Sequence, residues 1–319
     1  MANYDVFNGD ADGICALLQL RLAQPLDAKL VTGVKRDIKL LSQVDVEKAK
    51  QVTVLDISMD KNKEPLQALL AKQVNVFYCD HHYAGDIPAS AYLEHIIDTA
   101  PDTCTSLLVN QYLDGAYAHW AVVAAYGDNM LTAAEQLADS LKLTKTEKSN
   151  LKALGIAINY NGYGANESDL HIAPSTLFEQ LLDFNNPLDL IAQNHAIYRD
   201  LIANYQADLV QVEQAEMLHD SCVGTIYSLP NEKWARRISG VWGNDLANKS
   251  PNKAHAVFTE LAEGGYLVSV RSPKKNAVGA DDLCRQFNTG GGRKAAAGIN
   301  HLPENELDRF ITTFEETFV

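Results

Sequence analysis

At 319 residues the chain has room for two domains with separate cores, and 46% apolar with 21% charged residues is the composition of an ordinary globular protein. A net charge of −14 works against broad attraction to duplex DNA or an anionic bilayer, and no run approaches the roughly 18–20 uncharged apolar residues of a membrane span, so no membrane partner is expected. Met1-Ala2-Asn3-Tyr4-Asp5 does not open a secretory leader, and Cys15, Cys79, Cys104, Cys222 and Cys284 are odd in number without a closely spaced pair, so the chain reads as cytoplasmic with reduced core thiols.

In chain order, Tyr4-Asp5-Val6-Phe7 reads as a strand, followed by the acidic turn Asn8-Gly9-Asp10-Ala11-Asp12-Gly13 and a helix from Gly13 to Gln24. Leu26 to Gly33 reads as a second strand and Asp37 to Lys50 as a short helical segment. Val52-Thr53-Val54-Leu55 is a strand ending in Asp56, and Asp60 to Lys72 a helix with Leu66, Leu69 and Leu70 at three- and four-residue spacing. Val74 to Cys79 is a further strand, closed by Asp80-His81-His82. Such alternation with short connections predicts a parallel sheet covered on both faces. Helices follow over Thr105–Leu113, Ala118–Tyr126, Ala133–Leu141, Lys145–Ile158 and Pro174–Leu182. Leu188 to Leu218 reads as one connecting helix, after which strand and helix alternate again, with helical patterns over Ala280–Phe287 and Glu304–Phe314. The expected organisation is an α/β catalytic domain over 1–185, a connecting helix over 186–218, and a smaller α/β substrate-binding domain over 219–319.

Three strands thus deliver carboxylate or imidazole at their C-terminal ends, the edge where an open parallel sheet binds ligands. Crowded carboxylates repel one another and are stabilised by cations, and an Asp/His donor set suits Mn²⁺, or with less margin Zn²⁺ and Fe²⁺. Each motif has a plainer reading. Asp12 could be a helix N-cap, Asp56 likewise, and Asp128 could belong to a helix-ending turn at Gly127. Two adjacent imidazoles behind Asp80 are less easily structural: one can bind metal while the other faces an anion. In the second half, Gly290-Gly291-Gly292-Arg293 offers backbone N–H groups and a forked guanidinium to an anion, before small alanines suited to a closely packed helix. Arg271-Ser272 at a strand end is a second anion clamp or a solvated pair. Residues 233–294 hold eleven Lys/Arg against five Asp/Glu, a local +6 beside −20 elsewhere. An anionic substrate could be pinned by that basic lobe, or the charges could be dispersed surface.

Taken together and in this order, these motifs resemble the DHH phosphoesterase superfamily with its DHH-associated C-terminal domain, and within it the bacterial nanoRNase and pAp-phosphatase group. The resemblance covers nearly the whole chain. It implies two Mn²⁺ ions, with Mg²⁺ or Co²⁺ as substitutes, held by Asp10, Asp12, Asp56, His81 and Asp128, with Asp56 bridging them. It implies that His82 faces the scissile phosphate, with His82 and Asp56 the catalytic pair, and that Arg271, Ser272, Gly290, Gly291, Gly292 and Arg293 bind the remote phosphate or nucleotide. There are two departures. Val6 stands where many relatives place a metal-binding His, so that Asn8 or water would complete the first site, and Arg293 replaces the usual His after the glycine triplet.

The expected function is a two-metal phosphoesterase that hydrolyses short oligonucleotides, linear or cyclic dinucleotides, or bisphosphorylated nucleotides. Its partner is thus a small phosphorylated substrate or a short single strand, and a homodimer is compatible with the sequence. The alternatives are an exopolyphosphatase or pyrophosphatase, which needs no base recognition, and a degenerate nucleotide-binding module.

Overall fold

Tyr4-Asp5-Val6-Phe7, Val52-Thr53-Val54-Leu55 and Val76-Phe77-Tyr78-Cys79 are nearly continuous apolar runs, and they form the centre of a sheet buried on both faces. In the computed structural model, which describes residues 1–319, the chain divides into two units, Met1–Tyr205 and Gln206–Val319.

The first unit opens with β1 (Ala2–Phe7), α1 (Ala11–Ala23), β2 (Lys29–Val31), β3 (Ala49–Leu55), α2 (Lys63–Ala71), β4 (Asn75–Asp80) and β5 (Leu93–Ile97). The five strands are parallel in the order β2-β1-β3-β4-β5, with Val6 opposite Val54 and Val54 opposite Tyr78. Alternate side chains feed two cores. Phe7, Leu55 and Cys79 pack with α1 and with α3 (Thr105–Tyr112), α4 (Ala118–Gly127), α5 (Leu131–Ser140), α6 (Lys145–Asn161), α7 (Pro174–Leu181) and α8 (Pro187–Ala192). Val6, Val54 and Tyr78 pack with Leu66 and Leu69 of α2 on the other face. The strand order reverses direction between β1 and β3, so the turns after these two strands open onto the switch point, where such sheets bind ligands.

Several expected elements differ. The strand expected over 26–33 is only Lys29–Val31, an edge strand with Val31 its one buried residue. The helix expected over 37–50 reduces to a single 3₁₀ turn, Leu40–Gln43, where Leu40 and Leu41 bury and the Asn62 side chain accepts the Leu41 N–H. The single helix expected over 186–218 is broken. Asn194 at φ 46° ends α8, α9 (Ala196–Gln211) follows, and Glu216–Asp220 is recruited as a strand because it pairs with its neighbour.

The second unit holds β6 (Glu216–Asp220), β7 (Gly224–Leu229), α10 (Lys233–Lys249), β8 (Ala254–Glu260), β9 (Tyr266–Arg271), α11 (Ala280–Cys284), β10 (Gly290–Arg293), β11 (Ala296–Leu302) and α12 (Leu307–Thr317). Its sheet has the order β10-β11-β9-β8-β7-β6, in which β7–β8 is the parallel pair joined through α10. Phe258, Val268, Val270 and Ile299 pack with Leu283 of α11 and Phe310 and Phe314 of α12. The glycine triplet does not precede an Ala-rich helix. It is an edge strand whose Gly291 and Gly292 pair with Gly298 and Ala297, and a side chain at Gly290 would overlap the Cys284 carbonyl oxygen. No helix is long and apolar enough to cross a membrane.

Candidate active site

Asp10 ends the turn after β1 and is the N-cap of α1: its Oδ1 accepts the N–H groups of Asp12 and Gly13 at 3.0 and 3.1 Å. The cap is Asp10, therefore, and not Asp12, and the helix starts two residues earlier than its periodicity suggests. Asp12 is left to serve another helix. Its two oxygens accept the N–H groups of Thr105 and Ser106 at 2.7 Å each, at the first turn of α3. Gly9 has no room for a side chain, since a Cβ there would overlap the Gly33 carbonyl oxygen, and this close approach draws the 33–37 loop against the acidic turn.

Asp56 follows β3 with φ 60°, a left-handed conformation that costs most side chains energy and that Asp tolerates better than most. Its N–H donates to the Cys79 carbonyl and its Oδ1 accepts the Thr105 hydroxyl at 3.1 Å. His81 is oriented by its Nδ1, 3.2 Å from the Thr103 carbonyl oxygen, which leaves Nε2 as the acceptor facing Asp56 Oδ1 at 3.4 Å and Asp12 Oδ2 at 3.8 Å. His82 Nδ1 is bonded to Asp80 Oδ1 at 2.7 Å, and its ring lies 4.4 Å from that of His81. Asp128 follows the last turn of α4.

These residues converge. Ligand atoms of Asp12, His81 and Asp128 lie within 4.8 Å of one another, and so do those of Asp56, His81 and His82. Of the expected metal-binding residues, Asp12, Asp56, His81 and Asp128 are thus brought together. Asp10 lies alongside and Asn8 differs: its Nδ2 donates to the Lys35 carbonyl at 3.2 Å and its Oδ1 is buried without a hydrogen-bond partner. Asp80 Oδ2 is likewise buried without one.

The electrostatics of the cluster fit a bound cation. Burial, then repulsion from Asp12, Asp10, Asp80 and Asp128, holds the Asp56 carboxyl well above the ordinary carboxylate range. Burial raises Asp128 to about 6 despite the opposing charge of Lys35. Burial also works against ionisation of Asp10, but the charge and hydrogen bond of Lys35 and the Gly13 N–H outweigh it, leaving that carboxyl lowered. His82 is raised, first by its hydrogen bond to Asp80. Buried, mutually repelling carboxylates beside an imidazole nitrogen turned to accept fit a divalent ion with mixed oxygen and nitrogen ligands. Burial raises the thiols of Cys15, Cys79 and Cys104, so none is poised as a nucleophile, while Cys222 is exposed and not in the core as expected.

Sequence reasoning missed Lys35. Its ammonium lies 2.6 Å from Asp10 Oδ2, 3.2 Å from Asp128 Oδ1 and 3.0 Å from Asn159 Oδ1, with the Tyr163 ring centroid 5.8 Å away. The available signal was position: Lys35 follows β2, which borders β1 on the same sheet edge.

In the second unit, Arg271 Nε donates to Asn244 Oδ1, Nη2 to the Gly240 carbonyl, and Nη1 to Ser269 Oγ and the Val270 carbonyl, fastening β9 to α10. Ser272 is buried, donating to the Lys294 carbonyl and accepting the Ala280 N–H. Arg293 is exposed at the end of β10.

Residues 221–319 match the model of the DHHA1 domain. Comparison with curated protein sequences finds no match. Among solved structures, a DHH-domain protein described as a member of a family of ribosomal proteins superposes with a TM-score of 0.67 at 13% identity, over 99% of this chain and 86% of that one. Exonuclease RecJ bound to manganese gives a TM-score of 0.62 at 17% identity, over 99% and 89%. A pGpG-specific phosphodiesterase, PggH from Vibrio cholerae, gives 0.55 at 11% identity, over 99% and 100%. At these identities the likeness is one of fold. The chain shares the fold of these DHH structures, and its residues 221–319 match the DHHA1 domain.

Proposed function

We propose that the chain is a divalent-metal-dependent phosphoesterase acting on short nucleotide substrates. The observation that carries this reading is the convergence of Asp12, Asp56, His81 and Asp128 at the switch point of the parallel sheet, in an arrangement of like charges that a cation would stabilise. A divalent ion held there supplies Lewis-acid polarisation of a phosphoryl group and activation of water at neutral pH. Asp56, raised by burial and then by four other carboxylates, would hold that ion together with His81. His82 is half-exposed and its Nδ1 is bonded to Asp80, which leaves Nε2 available. With its pKa raised it carries a proton nearer neutral pH than a free imidazole does, which suits contact with a phosphoryl oxygen or protonation of a leaving group.

Mn²⁺ is our choice of metal, from the mixed donor set and from the manganese in the RecJ structure. The names of RecJ, an exonuclease, and PggH, specific for pGpG, point to phosphodiesters of nucleotides. The net charge of −14 favours short substrates over long polymers: short oligonucleotides, linear or cyclic dinucleotides, and bisphosphorylated nucleotides. Among the residues proposed to hold a remote phosphate, Arg293 is the strongest candidate, because its guanidinium is exposed while that of Arg271 and the hydroxyl of Ser272 already serve the fold.

The test is a substrate panel offered to EDTA-stripped protein reloaded with Mn²⁺: linear and cyclic dinucleotides, pAp, short RNA, short DNA and polyphosphate. Mn²⁺-dependent release of mononucleotide or phosphate from the short nucleotides is expected. Turnover of polyphosphate alone would replace this reading with an exopolyphosphatase, and binding without turnover of any substrate would refute it.

A further inference from the structure

The carboxylates of the site are not all equally open to metal. Asp12 and Asp128 group with His81, and Asp56 with His81 and His82, whereas Asp10 belongs to neither set of converging ligand atoms. One oxygen of Asp10 caps α1, and the other is held at 2.6 Å by the Lys35 ammonium. That ammonium has three N–H donors and meets three oxygen acceptors, on Asp10, Asp128 and Asn159, so its hydrogen-bonding capacity is filled.

The chain has built its backbone to keep the lysine there. The Lys35 N–H donates to the Gly162 carbonyl at 2.8 Å, immediately after α6, and its own carbonyl accepts the Asn8 amide. The following turn is closed by Asp37, which accepts the Val34 N–H at 3.1 Å. On the far side, Gly9 leaves space for the Gly33 carbonyl. The two positions near the acidic turn that might have supplied a further ligand are used otherwise: Val6 is fully buried in the core on the other face of the sheet, and Asn8 spends its donor on the Lys35 loop.

We propose that Lys35 is a resident cation that takes the place of one of two metal ions, the one at Asp10 and Asp128, so that the site binds a single divalent ion on the side of Asp56 and His81. The inference rests on the metal-dependent reading above and narrows it. A second divalent ion on Asp10 would have to share its ligand with a fixed like charge, or break three hydrogen bonds and expel the ammonium from its cradle. Lys35 also neutralises Asp10 in the metal-free protein, which lets the acidic turn fold before any ion arrives.

The test counts metal. Wild-type and Lys35→Met protein are stripped with EDTA, loaded with excess Mn²⁺, desalted and analysed for bound manganese, with low-temperature EPR to detect spin-coupled pairs. One ion per wild-type chain is expected, rising to two in Lys35→Met, with a coupled signal only in the variant. Two ions in the wild type, or no rise in the variant, overturns the role of Lys35 while leaving metal dependence standing. No metal in either protein overturns the metal-dependent reading, and this inference with it. If Lys35→Met fails to fold, the wild-type count decides alone, one ion supporting the proposal and two overturning it.

Discussion

Asp56→Asn is expected to make the metal-free protein more stable and to abolish its stabilisation by metal. Asparagine keeps the shape, tolerates the left-handed backbone at φ 60°, and can still accept the Thr105 hydroxyl. What it removes is a carboxyl that burial and four neighbouring carboxylates hold well above its ordinary pKa. In the folded metal-free protein that group keeps its proton at pH values where the unfolded chain has released it. The folded state then binds more protons, and stability is greatest below the ordinary carboxylate pKa and falls as pH rises above it, by up to about 1.4 kcal/mol per pH unit for one group. Asp128, raised to about 6, adds to the same decline. The variant loses the Asp56 share of that slope. Metal acts oppositely. At a free Mn²⁺ concentration 100 times its Kd, the wild type gains about 2.7 kcal/mol, which for a domain of this size is a rise in Tm of roughly 5–11 °C. The assay is thermal unfolding of EDTA-treated protein with and without Mn²⁺ between pH 5 and pH 8. A variant less stable than the wild type without metal, and stabilised by Mn²⁺ to the same extent, would refute both the repulsion and the ligand role. Asp56→Ala is the poorer test, because alanine at positive φ adds about 1–2 kcal/mol of strain that masks the gain.

Three further outcomes follow from single contacts. Arg21 and Asp5 form a buried pair at 2.6 Å with Thr53 as a third partner, so Arg21→Met should cost about 3–5 kcal/mol in urea unfolding, and Asp5→Leu combined with it should recover most of that; a loss below about 1 kcal/mol for the single variant would contradict the burial argument. His82→Ala should lower kcat by roughly 10²–10⁴-fold, as loss of a general acid does, while leaving Mn²⁺ affinity within a few-fold; a parallel collapse of metal binding would make His82 a ligand instead. Arg293→Ala should lower kcat/KM roughly ten- to hundred-fold on substrates with a terminal phosphate and little on those without one, with Arg293→Lys in between; equal losses on both substrates would point to disturbance of the β10–β11 hairpin.

The parallel sheet was legible because β1, β3 and β4 carry apolar side chains to both faces, and nothing but a doubly covered sheet buries such a run. The edge strands were not, since β2 buries one residue and β5 exposes Glu94 and His95. Glycines hid β10 for a related reason: without side chains they show no alternation, and only pairing with β11 declares the strand. Asp10, Asp12, Asp56, His81 and His82 of the candidate site were legible because they lie close after strand ends in the sequence itself, whereas Asp128 follows a helix. Lys35 was not, because its place depends on α6 and on Gly9, contacts that no local pattern encodes.

The places where local rules fail are concentrated at the site. Asp56 sits at positive φ, Asn8 and Asp80 each bury an oxygen without a partner, and burial, then neighbouring carboxylates, raises the Asp56 and Asp128 carboxyls. Each of these costs stability in the metal-free chain, and none is needed to close the sheet or fill either core. Thr103, Thr105 and Asp80 nonetheless hold the same groups in fixed orientation through named hydrogen bonds. A fold that merely tolerated these residues would let them turn to solvent or pair among themselves. Locking them in a strained, like-charged arrangement fits the proposed site, whose missing favourable interaction would come from what it binds, and the sign of the Asp56→Asn effect therefore separates a metal centre from an acidic turn.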